Sequence, residues 1–95
     1  MKTYYLYILK CSDGSLYTGI TTDIKRRLKE HNKGRKGAKY TALRRPLELV
    51  YKKRFIGRSA ASIEEARIKK LSRKEKLEFI WHIFRQELLY RYPPP

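Results

Sequence analysis

Three stretches of the chain have the apolar and aromatic patterning of β-strands. Residues 4–10 (YYLYILK) are apolar or aromatic almost without alternation, which predicts a strand covered on both faces. The turn sequence SDG follows at 12–14, and residues 15–20 (SLYTGI) predict a strand that returns beside the first. Residues 47–55 (LELVYKKRF) predict a third strand. The first two strands should therefore form a hairpin.

The hairpin turn determines which side chains face each other across the two strands. If Gly14 takes the left-handed position of a three-residue loop, Leu9 faces Tyr17 and Tyr7 faces Gly19. Tyr7 and Tyr17 then lie on the same side of the sheet, whereas a two-residue loop would put them on opposite sides. The glycine leaves space for the Tyr7 ring.

Capping residues and helical spacing predict a first helix directly after the hairpin. Asp23 can N-cap a helix over about 24–33, with Thr22 as the alternative cap. Arg27 and His31 are four residues apart in it, so they lie one above the other on one helix face. This face can meet the tyrosine-bearing side of the sheet.

Two more helices are predicted in the second half of the chain. One begins at Ser59 or Ser62 and continues to about residue 71, and Ser72 with Glu75 forms a capping box for the next. The last helix carries apolar residues at steps of three and four, which predicts a stripe facing the core. That stripe consists of Leu77, Ile80, Trp81, Phe84 and Leu88.

The predicted order of elements is ββαβαα. Residues 34–46, between the first helix and the third strand, predict a long basic loop that contains two glycines and ends in a proline. Helices packed on three strands give an α/β fold, with a three-stranded mixed or antiparallel sheet flanked by helices. A chain of 95 residues is expected to form one domain, over residues 1–92, followed by a frayed proline tail at 93–95.

Charge adds a functional expectation to this fold. The chain has 24 Lys and Arg against 9 Asp and Glu, a formal net charge of +15, and fourteen of the basic residues but only two acids fall within 25–58. A solvated surface is the plain alternative, but such one-sided charge favours binding to nucleic-acid phosphates. The candidate nucleic-acid contacts are Lys33, Arg35, Lys36, Lys39, Tyr40, Arg44 and Arg45.

Several function classes are excluded by what the sequence lacks. Its one cysteine, Cys11, permits no internal disulfide and no cysteine-based zinc cluster, and a cytoplasmic location is the simplest expectation. No apolar run is long enough to span a bilayer, so no membrane partner is expected. There is no Walker-type phosphate loop, HExxH motif or serine nucleophile elbow.

The remaining polar residues resemble a known family. Tyr7, the last residue of Tyr5-Leu6-Tyr7, lies ten residues before the start of Tyr17-Thr18-Gly19. TTDIKRRLKEH at 21–31 then brings Arg27 ten residues after Tyr17 and His31 four further on. A later segment, ASIEEARIK at 61–69, is similar to a glutamate-bearing helix. Together these motifs resemble the GIY-YIG nuclease domain, in its small stand-alone branch related to the nuclease domain of the repair protein UvrC. The resemblance covers residues 4–80.

This resemblance implies a role for each matching residue. Tyr17 and Tyr7 would activate or orient the attacking water, and which of them is the base stays open. Arg27 would neutralise the phosphate, and His31 would orient the water or join a proton relay. Glu65 would hold one divalent ion, Mg²⁺ or Mn²⁺, unless it instead forms a capping box with Ser62. The neighbouring Glu64 fits the spacing less well.

The expected function is therefore a metal-dependent endonuclease that hydrolyses DNA phosphodiester bonds, with structure-selective cleavage in repair or recombination. The partner is DNA, with RNA as the alternative, and the protein is expected to be a monomer or weak homodimer. Two departures weaken the enzyme interpretation: the family's late asparagine is absent, since the only asparagine is Asn32, and Ile20 follows Gly19 where a polar residue is frequent. One alternative is a catalytically weak or inactive nucleic-acid-binding module. Another is a protein-interaction module, which predicts that Trp81 and Phe84 are exposed.

Overall fold

A three-stranded sheet with helices on both faces forms the body of the protein. The computed structural model describes residues 1–34 and 36–91, with side chains described up to residue 86. Arg35, the tail at 93–95 and the side chain of Leu88 lie outside this described part. The elements are β1 (Thr3–Lys10), β2 (Leu16–Thr21), α1 (Ile24–Lys33), α2 (Lys39–Ala42), β3 (Glu48–Ile56), α3 (Arg58–Lys69) and α4 (Arg73–Arg91).

The sheet has the order β2-β1-β3, and both strand pairs are antiparallel. The predicted α/β fold is thus confirmed, with the antiparallel option realised. Gly14 has a φ of +83°, and the strands pair Tyr7 with Gly19 and Leu9 with Tyr17. The register derived from a three-residue turn is therefore correct. The central strand β1 is covered on both faces, as its uninterrupted apolar pattern predicted.

The side chains of β1 alternate between two hydrophobic clusters. Tyr7 and Leu9 face α1, where Leu28 packs against them. Leu6 and Ile8 face the other side, where Ile68 of α3 completes the second cluster. All four β1 residues are at most 3 % exposed. Because Tyr7 points into the α1 side, its hydroxyl is held near the polar residues of that helix.

Side-chain caps explain where two of the helices begin. The Asp23 carboxylate accepts a hydrogen bond from the Arg26 N–H at 3.0 Å, which confirms this N-cap for α1. The Ser72–Glu75 capping box before α4 is also present, with bonds of 3.0 and 3.2 Å. Helix α3 instead begins after Gly57, which has a φ of +86° and no side-chain cap bond. The proposed Ser62–Glu65 capping box is therefore wrong, and Glu65 lies inside the helix.

Two expectations about packing are corrected. The loop at 34–46 contains α2, so the order is the predicted ββαβαα with one short helix added. The predicted core stripe of α4 is buried only in part. Ile80 packs on the core as predicted, together with Phe79, but Leu77 is 41 %, Trp81 60 % and Phe84 50 % exposed. Helix α4 is apolar on more than one face, so periodicity alone did not identify the buried one. The exposure of Trp81 and Phe84 is what the interaction-module alternative requires.

Candidate active site

Two tyrosine rings and one histidine ring lie together between the sheet and α1. The centroids of the Tyr7 and Tyr17 rings are 6.5 Å apart, and those of Tyr7 and His31 are 5.8 Å apart. Tyr17 meets His31 edge to face at 5.1 Å. A Cβ built on Gly19 would lie 2.5 Å from the Tyr7 hydroxyl oxygen. The glycine is therefore required for the Tyr7 ring to lie across β2.

A chain of hydrogen bonds joins Tyr7 to α2. The Tyr7 hydroxyl lies 2.9 Å from His31 Nε2, and His31 Nδ1 lies 2.8 Å from Thr41 Oγ1. The Thr41 hydroxyl donates its own proton to the Ala38 carbonyl at 2.9 Å. It must therefore accept the bond from His31, so His31 carries its proton on Nδ1. In neutral His31 the Nε2 atom is then the acceptor, and Tyr7 donates to it.

Burial sets the protonation states of His31 and Tyr7 in this chain of hydrogen bonds. His31 is fully buried, and burial lowers its pKa to about 4, with the Arg27 and Arg45 charges acting in the same direction and Glu30 opposing them. Burial also raises the pKa of Tyr7 to about 12, although the Arg27 guanidinium opposes this shift. At neutral pH both groups are uncharged. The hydrogen bonds therefore run from the Tyr7 phenol through neutral His31 to Thr41.

Arg27 connects this buried chain to a surface groove. Its Nη1 donates to the Glu30 carboxylate at 3.0 Å and to the Lys36 carbonyl at 2.7 Å. The guanidinium also lines an open groove of about 480 Å³. Four cations and one carboxylate line the groove, together with four residues of the sheet edge and its turn. The lining is Lys2, Tyr4, Ile20, Thr21, Thr22, Arg26, Arg27, Glu30 and Lys36. A phosphate entering this groove meets the positive charge of Arg27, which also lowers the pKa of the Tyr7 hydroxyl against the effect of burial.

Glu65 lies on α3, whose Ile68 packs on the face of the sheet opposite Tyr7. It lies on the same helix stripe as Ala61 and Ile68, which are both fully buried. Its side chain is 22 % exposed, and its carboxylate contacts Lys69 Nζ at 3.3 Å. Of the effects that raise the pKa of Tyr7, the negative charge of Glu65 is the smallest. Neighbouring Glu64 is paired with Arg67 instead.

The donor set available for a metal ion is small. Within the described ranges, no group of three or more His, Cys, Asp and Glu side chains is placed to hold an ion together. Mg²⁺ is commonly bound by one or two carboxylates plus waters and substrate phosphate. Glu65 fits that pattern as a single carboxylate ligand, once Lys69 is displaced from it. An ion would therefore bind weakly before the substrate supplies its phosphate oxygens.

The predicted nucleic-acid contacts divide into two groups. Lys33, Lys36 and Lys39 are exposed, as surface contacts must be. Arg45 is different, because it donates to the backbone carbonyls of His31 and Gly34 at 2.6 Å each. Arg44 contacts the Asp13 carboxylate at 3.0 Å and the Tyr40 carbonyl at 2.8 Å. These two arginines stabilise the loop, which their charge alone did not indicate.

Thr41 was not among the site residues predicted from the sequence. This residue is fully buried and binds His31, yet threonine is common in loops and carries no charge. Its segment, GAKYT at 37–41, lies in the predicted basic loop, where nothing marked the threonine for a role. Sequence also did not indicate Lys2 as a groove residue, because it lies outside the basic region 25–58.

Comparisons with known proteins agree with these motifs. Residues 3–78 match the family model described as the GIY-YIG catalytic domain. A UPF0213 protein of Staphylococcus saprophyticus is 51 % identical over 80 residues, covering 84 % of this chain and 96 % of that protein. A UPF0213 protein of Syntrophus aciditrophicus is 52 % identical over 80 residues, covering 84 % and 92 %.

Solved structures are similar to this chain as well. The solution NMR structure of a UPF0213 protein from Bacillus halodurans aligns with a TM-score of 0.54 at 47 % identity, covering 82 % of each chain. That of a protein from E. faecalis aligns with a TM-score of 0.61 at 44 % identity, covering 88 % of each chain. The family match includes β1, β2, α1 and α3, which carry the site residues. No helix of the described residues is long and apolar enough to cross a membrane.

Proposed function

Because this chain belongs to the GIY-YIG family, we propose that it is an endonuclease that hydrolyses phosphodiester bonds in DNA with one divalent metal ion. The observation that supports this most is the buried chain from Tyr7 through His31 to Thr41, with the Arg27 guanidinium beside its outer end. Binding to nucleic acid alone does not require a buried phenol with a proton acceptor behind it.

Arg27 is proposed to bind the scissile phosphate. Its planar guanidinium can contact two phosphate oxygens together, which an ammonium group does less well. One of its nitrogens is engaged by Glu30 and Lys36, so its orientation is fixed before the substrate arrives. The charge that grows on the phosphate during attack is then stabilised without reorganisation of the protein.

Tyr7 and His31 are proposed to remove the proton of the attacking water. A phenol with a pKa of about 12 carries almost no phenolate at neutral pH, so it is a poor base alone. With His31 behind it, the Tyr7 oxygen can take a proton from water while its own proton moves to Nε2. The water then attacks as hydroxide, and the proton resides on His31 until the leaving oxygen is protonated. Tyr17 packs against both rings and is proposed to orient them.

Glu65 is proposed as the protein ligand of the metal ion, Mg²⁺ or Mn²⁺. A bound divalent ion supplies Lewis acidity to the phosphate and lowers the pKa of water that it holds. The protein itself contributes one carboxylate, that of Glu65, and the polar groups around the Tyr7 hydroxyl. Lys69 neutralises Glu65 when no ion is present.

The basic surface is proposed to bind DNA through its phosphates, with RNA as the alternative, so affinity should fall steeply with added salt. Lys33, Lys36 and Lys39 supply exposed charge there. We propose structure-selective cleavage in repair or recombination, by a monomer or weak homodimer in the cytoplasm, because contacts to phosphates carry no sequence information. The buried thiol of Cys11 is free, which accords with a reducing compartment.

A binding module without turnover is the second candidate. It is favoured by one observation, the ion pair between Glu65 and Lys69, because a carboxylate with a cationic partner is a poorer ligand. The absence of a late asparagine from the sequence points the same way. In this case the hydrogen bonds from Tyr7 through His31 to Thr41 would serve only to stabilise the α1 side of the fold.

A cleavage assay separates the two candidates. Branched, nicked, single-stranded and duplex DNA are incubated with Mg²⁺ or Mn²⁺ and with wild-type protein, Glu65→Ala or Glu64→Ala. We expect metal-dependent product from the wild type and from Glu64→Ala, whose residue pairs with Arg67, and no product from Glu65→Ala. Tight binding without product on every substrate would favour the binding module, and equal cleavage by Glu65→Ala would refute the site.

A further inference from the structure

A second cavity lies at the opposite end of β2 from the cationic groove. It has a volume of about 190 Å³ and is lined by Ser15, Leu16, Tyr40, Arg73 and Lys76. Three separate parts of the chain form its walls: the hairpin, helix α2 and the first turn of α4. Since Arg73 and Lys76 lie outside the basic region 25–58, the charge pattern gave no indication of this cavity.

The cavity lining has the chemistry of an anion site with an apolar wall. Two of its five side chains are cationic and none is acidic. Arg73 is held in place because it donates to the Gly14 carbonyl at 3.1 Å. Within the part of the chain that the structure describes, neither Arg73 nor Lys76 forms an ion pair with a carboxylate. Their charges are therefore available to a phosphate.

Tyr40 connects this cavity to the candidate active site. Its ring stacks on that of Tyr17, with centroids 6.1 Å apart and planes at 24°. The Arg44 guanidinium carbon lies 3.9 Å from the centroid of the same ring. These contacts fix the ring while Tyr40 stays 40 % exposed. A nucleic-acid base that stacks on this ring, as bases do on exposed aromatic side chains, takes the place of the Arg44 guanidinium.

The two openings are arranged along one strand. The groove beside Arg27 includes Ile20, and the cavity includes Leu16, so they are four residues of β2 apart, or roughly 13 Å at 3.3 Å per residue. Tyr17 and Gly19 lie between them. An extended nucleic-acid strand that follows β2 therefore passes from the groove, over the Tyr7 region, to the cavity.

We propose that this cavity is a subsite for one unpaired nucleotide of the substrate strand, a short distance along that strand from the scissile phosphate. Tyr40 receives the base, and Arg73 with Lys76 binds the phosphate. The space suits one ring system and not a base pair, so the strand must be single at this point. The inference rests on the proposed function for its orientation along β2, but its binding chemistry can be tested without cleavage.

The first test uses NMR titration of the ¹⁵N-labelled full chain in EDTA. The probes are a short single-stranded DNA oligonucleotide and a hairpin whose stem pairs the same bases. We expect the single strand to shift the backbone amides of Ser15, Leu16 and Lys76, and the fully paired hairpin stem to leave them in place. Equal shifts with both probes, or shifts confined to the groove residues, would overturn the subsite.

The second test measures affinity for the same single strand by anisotropy. Tyr40→Ala should weaken binding roughly tenfold, the scale of one base stacked on an aromatic ring, and Tyr40→Phe should not. Lys76→Ala should weaken binding and reduce the dependence of log K on log salt by about 0.7. Lys74→Ala is the matched control, because it removes an exposed charge two residues away that does not line the cavity. Equal affinities of the Lys76 and Lys74 variants would refute the proposal.

The subsite and the nuclease proposal fail in different ways. If no metal produces cleavage but Tyr40 and Lys76 still determine single-strand affinity, the subsite is supported and the nuclease proposal is refuted. If wild-type protein cleaves DNA and both variants bind and cleave like wild type, the nuclease proposal is supported and the subsite is refuted.

Discussion

Replacement of Thr41 by valine removes the hydroxyl that orients His31 and changes little else. Ala38 O, which the hydroxyl also contacts, keeps its backbone bonds from the Thr41 and Ala42 N–H groups at 3.1 and 3.2 Å. The loss is therefore confined to His31 Nδ1, whose present acceptor lies at 2.8 Å. Both residues are fully buried, so water does not replace the missing acceptor.

Two outcomes are available to His31 in the valine variant, and both disturb the site. If the proton stays on Nδ1, a buried N–H is left unpaired at a cost of about 1–3 kcal/mol, which lowers Tm by roughly 4–24 °C in a domain of this size. If the proton moves to Nε2, the Tyr7 hydroxyl loses its acceptor. In the second case the proposed relay is interrupted, and the cleavage rate should fall roughly 100-fold.

Imidazole ¹⁵N chemical shifts distinguish the two neutral tautomers directly. Wild-type protein should show His31 protonated on Nδ1 at neutral pH, and Thr41→Ser, which keeps the hydroxyl, should show the same. Thr41→Val should lose stability or change tautomer. A valine variant with unchanged tautomer, thermal midpoint and cleavage rate would refute the hydrogen-bond chain as the organiser of the site.

Three further predictions test the residues in and around the hydrogen bonds that run from Tyr7 to Thr41. The pKa of His31 is lowered from 6.5 to about 4 in the folded state, so the unfolded state binds more protons between these values. The stability present above pH 6.5 should therefore fall by about 3 kcal/mol on acidification to pH 4. His31→Gln should flatten this dependence of urea-derived stability on pH, and an unchanged profile would contradict the burial of His31. Gly19→Ala places a Cβ 2.6 Å from Tyr7 Cζ, so it should destabilise the fold by about 1–3 kcal/mol and weaken cleavage; a variant as stable as wild type in urea would contradict the tight contact. Arg45→Ala removes two hydrogen bonds to the carbonyls of His31 and Gly34 and should lower the free energy of unfolding by about 1–3 kcal/mol. Lys39→Ala, at an exposed position, should leave the urea midpoint unchanged. Equal midpoints for both variants would show that Arg45 does not stabilise the loop.

Local sequence signals predicted the relative placement of Tyr7, Tyr17, Arg27 and His31. The turn glycine set the hairpin register, and that register placed Tyr7 and Tyr17 on one side with Gly19 opposite. The Asp23 cap then fixed the phase of α1, so Arg27 and His31 faced the same side. These relations depend on residues close in sequence, which is why the pattern alone was sufficient.

The remaining features depend on contacts between distant parts of the chain. Helix α4 is apolar on more than one face, so its buried face follows from packing against Tyr51 of β3 by Phe79. Arg45 carries a charge like its neighbours, but the loop brings it to the carbonyls of His31 and Gly34. The role of Thr41 follows from its contact with His31, which α2 creates. In each case the residue type is visible in the sequence, whereas its partner is set by the tertiary structure.

We propose that the Tyr7 hydroxyl and the Glu65 carboxylate serve one hydrolytic site. The decisive measurement is single-turnover cleavage of the preferred DNA substrate in Mg²⁺ by Tyr7→Phe and wild type, with affinity for DNA measured alongside. We expect unchanged affinity and a rate lowered at least roughly 100-fold, the scale of lost proton transfer. Wild-type rates from Tyr7→Phe, with product that still depends on metal and on Glu65, would refute this shared site.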